Sequence, residues 1–408
     1  MQNDSQAERT PYYRTNVSGN KIKLSSPIRE IYRYKEHENR DSSQAKNVLQ
    51  GKKLYPELGR SKTKYTPIRN IAEYLVKSKA NFEKRYNSPE SIMFPVDEDD
   101  FEFIRFMGKG AFSIVNMVRK IDNGMYYARK EMRKNHIFAN NKISEVKNEK
   151  KILESLGFPF IINLKFHYQD YMNIHFIMPL MIGGELYIYM KKYGRLKEST
   201  AQFLLSQLVL ALEYLHYLGL IHRDLKLENI LIDHFGYIKL GDFGMCKYIK
   251  QERTFTICGT AEYLAPEVIN HGGYGLAADW WSFGIITYEL CSGRTPFVAN
   301  EFLKIFHLIT HDKYIIPNHF SYTLADLIGH LLERNPTKRY GNLENGINDI
   351  KGHDFFKHID WLDLINRKID SPMLSLMTLP RNNFFEPQNQ PPIIEEGKTK
   401  IDSIFDDF

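Results

Sequence analysis

The chain has 408 residues, 43% apolar and 25% charged, an ordinary soluble composition long enough for two or three structural units and a large core. No run approaches the roughly 18 apolar residues of a membrane-spanning helix, the polar start MQNDSQAERT reads as no secretory signal, and Gln2 excludes N-terminal myristoylation. Three cysteines, Cys246, Cys258 and Cys291, stand at unpaired spacing, which argues against a disulfide framework or a cysteine-based zinc site and favours a reducing, cytoplasmic or nuclear, location.

The net charge of +6 is unevenly placed. Residues 1–70 hold 15 Lys/Arg against 7 Asp/Glu, or +8, which leaves 40 against 42, or −2, for the rest. The body is therefore not basic, and nucleic-acid binding is not expected of it. Residues 1–70 show no sustained period and read as a basic, mostly disordered extension, a solvated tail or a contact for an anionic surface or a partner. At Asn70 the pattern changes. Asn70 with Glu73 resembles a capping box, and Ile71, Tyr74, Leu75, Phe82 and Tyr86 recur near helical spacing, which predicts a helix to about Asn87 with a linker to residue 100.

From Phe101 the segments FEFIRFMG, SIVNMVRK and MYYARKEM alternate like strands, the last two joined by an Asp122-Asn123-Gly124 turn. A charged helix is predicted over about 142–156, then strands near 164–167 and 174–178. After Gly183-Gly184 the chain turns helical, with strongly apolar helices near 199–218 and 278–291. The pattern is α+β: a small β-rich lobe, 101–180, a larger helical lobe, 181–356, and an extended tail, 357–408.

Five signals follow in order along this layout. Gly108-Lys109-Gly110-Ala111-Phe112-Ser113 joins two predicted strands, where glycines let backbone amides approach phosphates. Alone it is weak, since a glycine-containing hairpin turn is commoner. Lys130 ends a strand and Glu149 lies in the next helix; a Lys–Glu pair can hold a fixed cation toward phosphate oxygens. The run IHRDLKLEN is the most specific. Asp224 can accept the proton of an attacking hydroxyl, Asn229 can offer an amide oxygen to a metal, and Lys226 can face the transferred phosphoryl group. Asp242-Phe243-Gly244 offers carboxylate oxygens to magnesium. Ala265-Pro266-Glu267 closes a segment holding Thr254, Thr256 and Thr260, which phosphorylation could order through Arg223.

In this order the signals resemble the protein-kinase signature from about Phe101 to Phe356. NEKKIL, TICGT and LLERNPTKRYGNLENGINDIKGHDFF are similar to the AGC group, and within it to the cyclic-AMP-dependent kinases, whose amino-terminal helix and F-x-x-F ending are matched by AEYLVKSKANFEKRYNSP and Phe405 to Phe408. The resemblance covers about residues 71–408 and implies a two-lobed serine/threonine kinase that uses ATP and magnesium. It implies ATP contacts from Met107, Gly108, Lys109, Gly110, Ala111, Phe112, Ser113, Ile114 and Val115, an adenine pocket of Ala128, Met178 and Leu231, and a hinge at 179–181. Lys130, held by Glu149, would touch the α- and β-phosphates. Asp224 would be the catalytic base, with Lys226 marking serine/threonine specificity, Asn229 and Asp242 the metal ligands, and Glu267 the partner of Arg339.

The same resemblance places Glu185, Glu228, Glu262 and Glu289 where arginines upstream of the phosphoacceptor bind. It places Ile257, Ala261 and Leu264 around the apolar residue downstream. A guanidinium fits a carboxylate in a two-pronged, charge-assisted geometry, so Arg-Arg-x-Ser/Thr-apolar substrates are expected. The implied partner is a cyclic-AMP-binding regulatory subunit carrying a pseudosubstrate, docking in part through Phe255. Regulation is implied at Thr256, with Arg223 and Lys247 as phosphate partners, and at Phe405 and Phe408, which would dock on the small lobe. The sequence departs from the family pattern at Ser113, in place of a third glycine, and at Glu145, in place of a histidine that binds the loop phosphate. The segment from Asp242 to Thr256 is one residue longer, and Pro387 replaces an expected tyrosine. The alternatives are an AGC kinase under another regulator and a pseudokinase scaffold; Lys130, Glu149, Asp224, Asn229 and Asp242 argue against the second.

Overall fold

The computed structural model describes residues 67–88, 93–110, 112–250, 252–377, 382–388, 402–405 and 408, together with two short strands near the start. Those strands, β1 (Tyr12–Thr15) and β2 (Lys21–Leu24), pair antiparallel, Tyr12 opposite Leu24. The sequence reading had no element there, because four residues are too few to show a period. The rest of the extension to residue 66 lies outside the described residues, as does Ala111.

Helix α1 (Ile71–Tyr86) starts where Asn70 Oδ1 accepts the Glu73 N–H at 3.3 Å. The small lobe then builds β3 (Phe101–Lys109), β4 (Ile114–Lys120), β5 (Tyr126–Arg133), α2 (Lys134–Ala139), α3 (Ile143–Ser155), β6 (Phe166–Gln169) and β7 (Asn173–Pro179). Its five strands form one antiparallel sheet in the order β3-β4-β5-β7-β6. The alternation in β5 sends Ala128 and Lys130 to one face and Arg129 to the other.

The large lobe contains β8 (Gly184–Glu185), α4 (Leu186–Tyr193), α5 (Glu198–Tyr217), β9 (Leu220–Ile221), β10 (Ile230–Ile232), β11 (Ile238–Leu240) and β12 (Lys247–Tyr248). It continues through α6 (Pro266–Ile269), α7 (Ala277–Ser292), α8 (Phe302–His311), α9 (Tyr322–Leu331), α10 (Asn348–Lys351) and α11 (Trp361–Ile365). Helices α5 and α7 are apolar nearly all round and are buried along almost their whole length, as core helices must be. Between them lie two short sheets, β11-β10-β8 and β12-β9, whose loops carry the polar motifs. No described helix is long and apolar enough to cross a membrane.

Two chain ends are fastened to this body. Phe82 of α1 is fully buried and packs with Tyr86 and Tyr248, at ring-centroid distances of 5.2 and 5.6 Å. Tyr86 donates to Asn148 of α3 at 3.5 Å, and Asn148 donates to the Cys246 carbonyl at 2.9 Å. In the tail, Phe405 is fully buried, and Phe408 stacks on Phe176 of β7 at 6.0 Å with Lys150 of α3 4.8 Å from its ring centre.

Candidate active site

The site begins with one ion pair. Lys130 on β5 donates to Glu149 on α3 at 2.6 Å and stands 4.0 Å from Asp242. Burial alone would lower the Lys130 pKa, but the Glu149 and Asp242 carboxylates outweigh it and hold the ammonium charged. For Glu149 burial dominates and raises its pKa, opposed by Lys130. For Asp242 burial pushes upward, yet Lys130, Lys226 and His222 pull the carboxyl below its usual value. The result is a fixed cation beside an ionised acid at the mouth of the cleft.

The Asp224 carboxylate is held by three donors. Its Oδ2 accepts from Lys226 at 2.6 Å and from Asn229 at 3.2 Å, and its Oδ1 accepts from Thr260 at 2.8 Å. Asn229 also donates to the Asp224 carbonyl at 2.8 Å, so its amide oxygen is the atom it has to offer a cation. Lys226 reaches Thr260 at 3.2 Å and so bridges the loop to the segment before Ala265. Burial lowers the Lys226 pKa less than Asp224 and its acidic neighbours raise it.

Backbone strain is concentrated here. Arg223 and Asp242 both have positive φ, 70° and 54°, an arrangement that persists only where neighbours hold it. Asp279, 1% exposed on α7, supplies that hold: its carboxylate accepts the His222 and Arg223 N–H groups at 2.9 and 3.0 Å and the His216 ring nitrogen at 2.9 Å. The His222 ring in turn meets the Gly241 carbonyl at 3.0 Å, joining the loop to Asp242. The sequence reading did not single out Asp279. Its signal was available, since an aspartate inside an otherwise apolar helix must be paired to be buried.

The residues expected to line a nucleotide pocket lie mainly on the β3–β5 sheet. Ala128 faces Met178 in register, Gly108 faces Val115, and Met107 and Val115 are buried with Ile104, Met117 and Leu180. Leu231 enters from β10. Gly110 donates its N–H to the Ser113 carbonyl at 2.7 Å, tightening the turn, and Phe112 lies edge-on to His136 at 6.4 Å. Lys109 is exposed beside Ile114 at the end of the β3–β4 ladder. Phe384 and Phe385 of the tail pack on the same cluster: Arg105 donates to the Phe384 carbonyl at 3.2 Å, and Phe385 meets Tyr126 at 4.8 Å. Pro387, at the tyrosine position, is exposed.

Of the four glutamates, Glu289 and Glu185 are nearly fully buried. Glu289, Glu228 and Glu262 converge on Tyr263, whose hydroxyl donates to Glu289 and is held well above its usual pKa by burial and then by these three carboxylates. Glu185 sits on β8, opposite Leu231. Ala261 and Leu264 are buried while Ile257 is 38% exposed. Glu267 and Arg339 pair through two bonds of 2.6 and 2.9 Å.

The segment holding Thr256 is held through its backbone and through Thr254. Arg223 sends its Nε to the Met245 carbonyl at 2.6 Å and Lys247 donates to Thr254 at 3.2 Å, while the Thr256 side chain is exposed. What grips this stretch is Tyr274: it bridges Thr254 through two backbone bonds of 2.9 Å, and its hydroxyl donates to the Thr256 carbonyl at 2.6 Å. Glu145 is engaged by Lys142, three residues earlier.

The protein kinase domain family matches residues 101–356 of this sequence. The chain belongs to that family. This kinase chain is 40% identical over 273 residues to a cAMP-dependent protein kinase catalytic subunit of Schizosaccharomyces pombe, covering 67% of the chain and 53% of the relative. It is 38% identical over 273 residues to a cAMP-dependent protein kinase type 3 of Saccharomyces cerevisiae, covering 67% and 68%. A RAC family serine/threonine-protein kinase homolog of Dictyostelium discoideum is 39% identical over 278 residues, covering 67% and 62%. The aligned part thus spans about half the length of the first relative.

Proposed function

We propose that this AGC-group kinase chain transfers the γ-phosphoryl group of ATP to serine or threonine in peptides with arginines upstream. The observation that carries the reading is the convergence of Lys130–Glu149, Asp224 and Asp242 on one cleft. Asp242 and Asn229 fit a magnesium ion, since both offer hard oxygens and Asp242 stays ionised. Bound there, such an ion would supply neutralisation of phosphate charge. Lys130 orients the α- and β-phosphates. Asp224 presents its carboxylate to the substrate hydroxyl and takes its proton, and Lys226 offsets negative charge on the moving phosphoryl oxygens.

The buried carboxylates of Glu289 and Glu185 support arginine-directed binding, because a carboxylate already removed from water gains most from a guanidinium partner. Relatives named cAMP-dependent kinases support a cyclic-AMP-binding regulatory subunit as partner, as does the 65% exposure of Phe255. A second reading, an AGC kinase under another regulator, is supported by the relative named a RAC family serine/threonine-protein kinase homolog. The test is transfer to Arg-Arg-Ala-Ser-Leu against Ala-Ala-Ala-Ser-Leu, with and without a regulatory subunit and cyclic AMP. Loss of each arginine is expected to lower kcat/KM about 10- to 100-fold, and equal turnover would remove the specificity. Transfer indifferent to the subunit would remove the cyclic-AMP assignment.

A further inference from the structure

On the face of the small-lobe sheet turned away from Lys130, three carboxylates and one histidine converge. Glu98 lies in the turn before β3, Glu131 on β5, Asp170 at the β6–β7 hairpin and His175 on β7. Ligand atoms of Glu98, Asp170 and His175 all lie within 4.8 Å of one another. His175 is 1% exposed; its Nε2 is 2.6 Å from Asp170 Oδ2, and its Nδ1 has no hydrogen-bond partner among the described residues and faces Glu131 at 3.9 Å.

Charge counting decides what this cluster lacks. Glu98, Glu131 and Asp170 contribute three negative charges, and the cation paired with them among the described residues is Arg129, 2.6 Å from Glu98 and 3.8 Å from Glu131. The balance is −2. A divalent ion offsets all of it. Arg129 and the Tyr168 hydroxyl, 2.5 Å from Glu98, orient that carboxylate as outer partners do around bound metals. Glu131 stands 3.9 Å behind the His175 Nδ1, on the side where an outer carboxylate stands in a carboxylate–histidine–metal arrangement. Solvent reaches the cluster through Glu98, whose side chain is 45% exposed.

We propose that Glu98, Asp170 and His175 form a binding site for a divalent transition ion of the zinc class. One imidazole nitrogen with two carboxylate oxygens suits zinc and leaves a position for water, whereas magnesium disfavours the imidazole. The ion would take the place of the proton between His175 and Asp170 and tie the turn before β3 to the β6–β7 hairpin. That hairpin already holds the tail, since Gln169 donates to the Phe405 carbonyl at 2.9 Å.

The test uses the full chain, stripped with chelator, in saturating magnesium and a non-hydrolysable ATP analogue so that the cleft is filled. Cobalt is titrated as a spectroscopic stand-in for zinc, followed by zinc calorimetry, on wild type, Asp170→Asn and His175→Phe. Asp170→Asn keeps an oxygen for the Met172 and Asn173 N–H groups that close the turn, at 2.6 and 2.7 Å, so the hairpin is retained. Wild type is expected to bind one more ion than either variant, with a visible cobalt band that both lack and affinity at least about tenfold tighter. Equal stoichiometry and spectra in wild type and either variant, or no uptake by wild type at about 10 μM ion, would overturn the site.

Discussion

At the scale of single residues, Asp279 shows how far from the chemistry a positioning group can sit. It lies more than fifty residues after the loop it serves, and its carboxylate fixes two consecutive backbone amides at the strained Arg223. Asp279→Asn keeps the size but replaces one acceptor oxygen with a donor facing an N–H. Misplacing Asp224 by a fraction of an ångström is expected to lower kcat about 100-fold while leaving the KM for ATP nearly unchanged. Steady-state kinetics of the variant checks this, and an unchanged kcat would contradict it.

Lys239 on β11 gives a pH prediction. Burial, with Arg367 nearby, lowers its pKa to about 8, and its ammonium donates to the Pro159 carbonyl at 2.7 Å. Between about pH 8 and the usual lysine value the unfolded chain binds the extra proton, so this group's contribution to stability rises with pH across that window and is lowest below it. Lys239→Met removes the dependence. The stability of wild type relative to this variant is therefore expected to increase from pH 7 to pH 9.5 in urea unfolding, and a flat difference would contradict the assignment.

Elements explain what was legible and what was not. Strands β3 to β5 follow from hydrophobic alternation, helix α3 from a charged helical stretch and helices α5 and α7 from long apolar runs, and the Asp224 and Asp242 motifs lie on short contiguous loops where spacing is informative. Contacts between distant segments are not written in any local pattern. The Thr260 bond to Asp224 and the grip of Tyr274 on Thr254 and Thr256 appear only once the chain has folded. Phe405 and Phe408 were legible as a pair by resemblance; the structure adds Phe176 and Lys150 as their contacts. Phe405→Ala should forfeit about 3–5 kcal/mol of docking, since Phe405 is fully buried. A lower melting temperature and easier proteolysis of the C-terminus are expected, and an unchanged melting curve would contradict the docking.

Across the whole molecule, one helix and one tail clasp α3 from opposite sides. Helix α1 reaches it through Tyr86 and Asn148, and the tail reaches it through Phe408 and Lys150. Glu149 is the next residue after Asn148, so both clasps bear on the Lys130 pair. The central claim is that this geometry transfers phosphate. The most direct measurement is radiolabelled phosphate transfer from magnesium-ATP to Arg-Arg-Ala-Ser-Leu by wild type and by Asp242→Ala. Transfer by wild type is expected, with a loss of at least about 1,000-fold in the variant, from removal of a proposed metal ligand. Equal rates in both proteins, or no transfer by wild type, would contradict it.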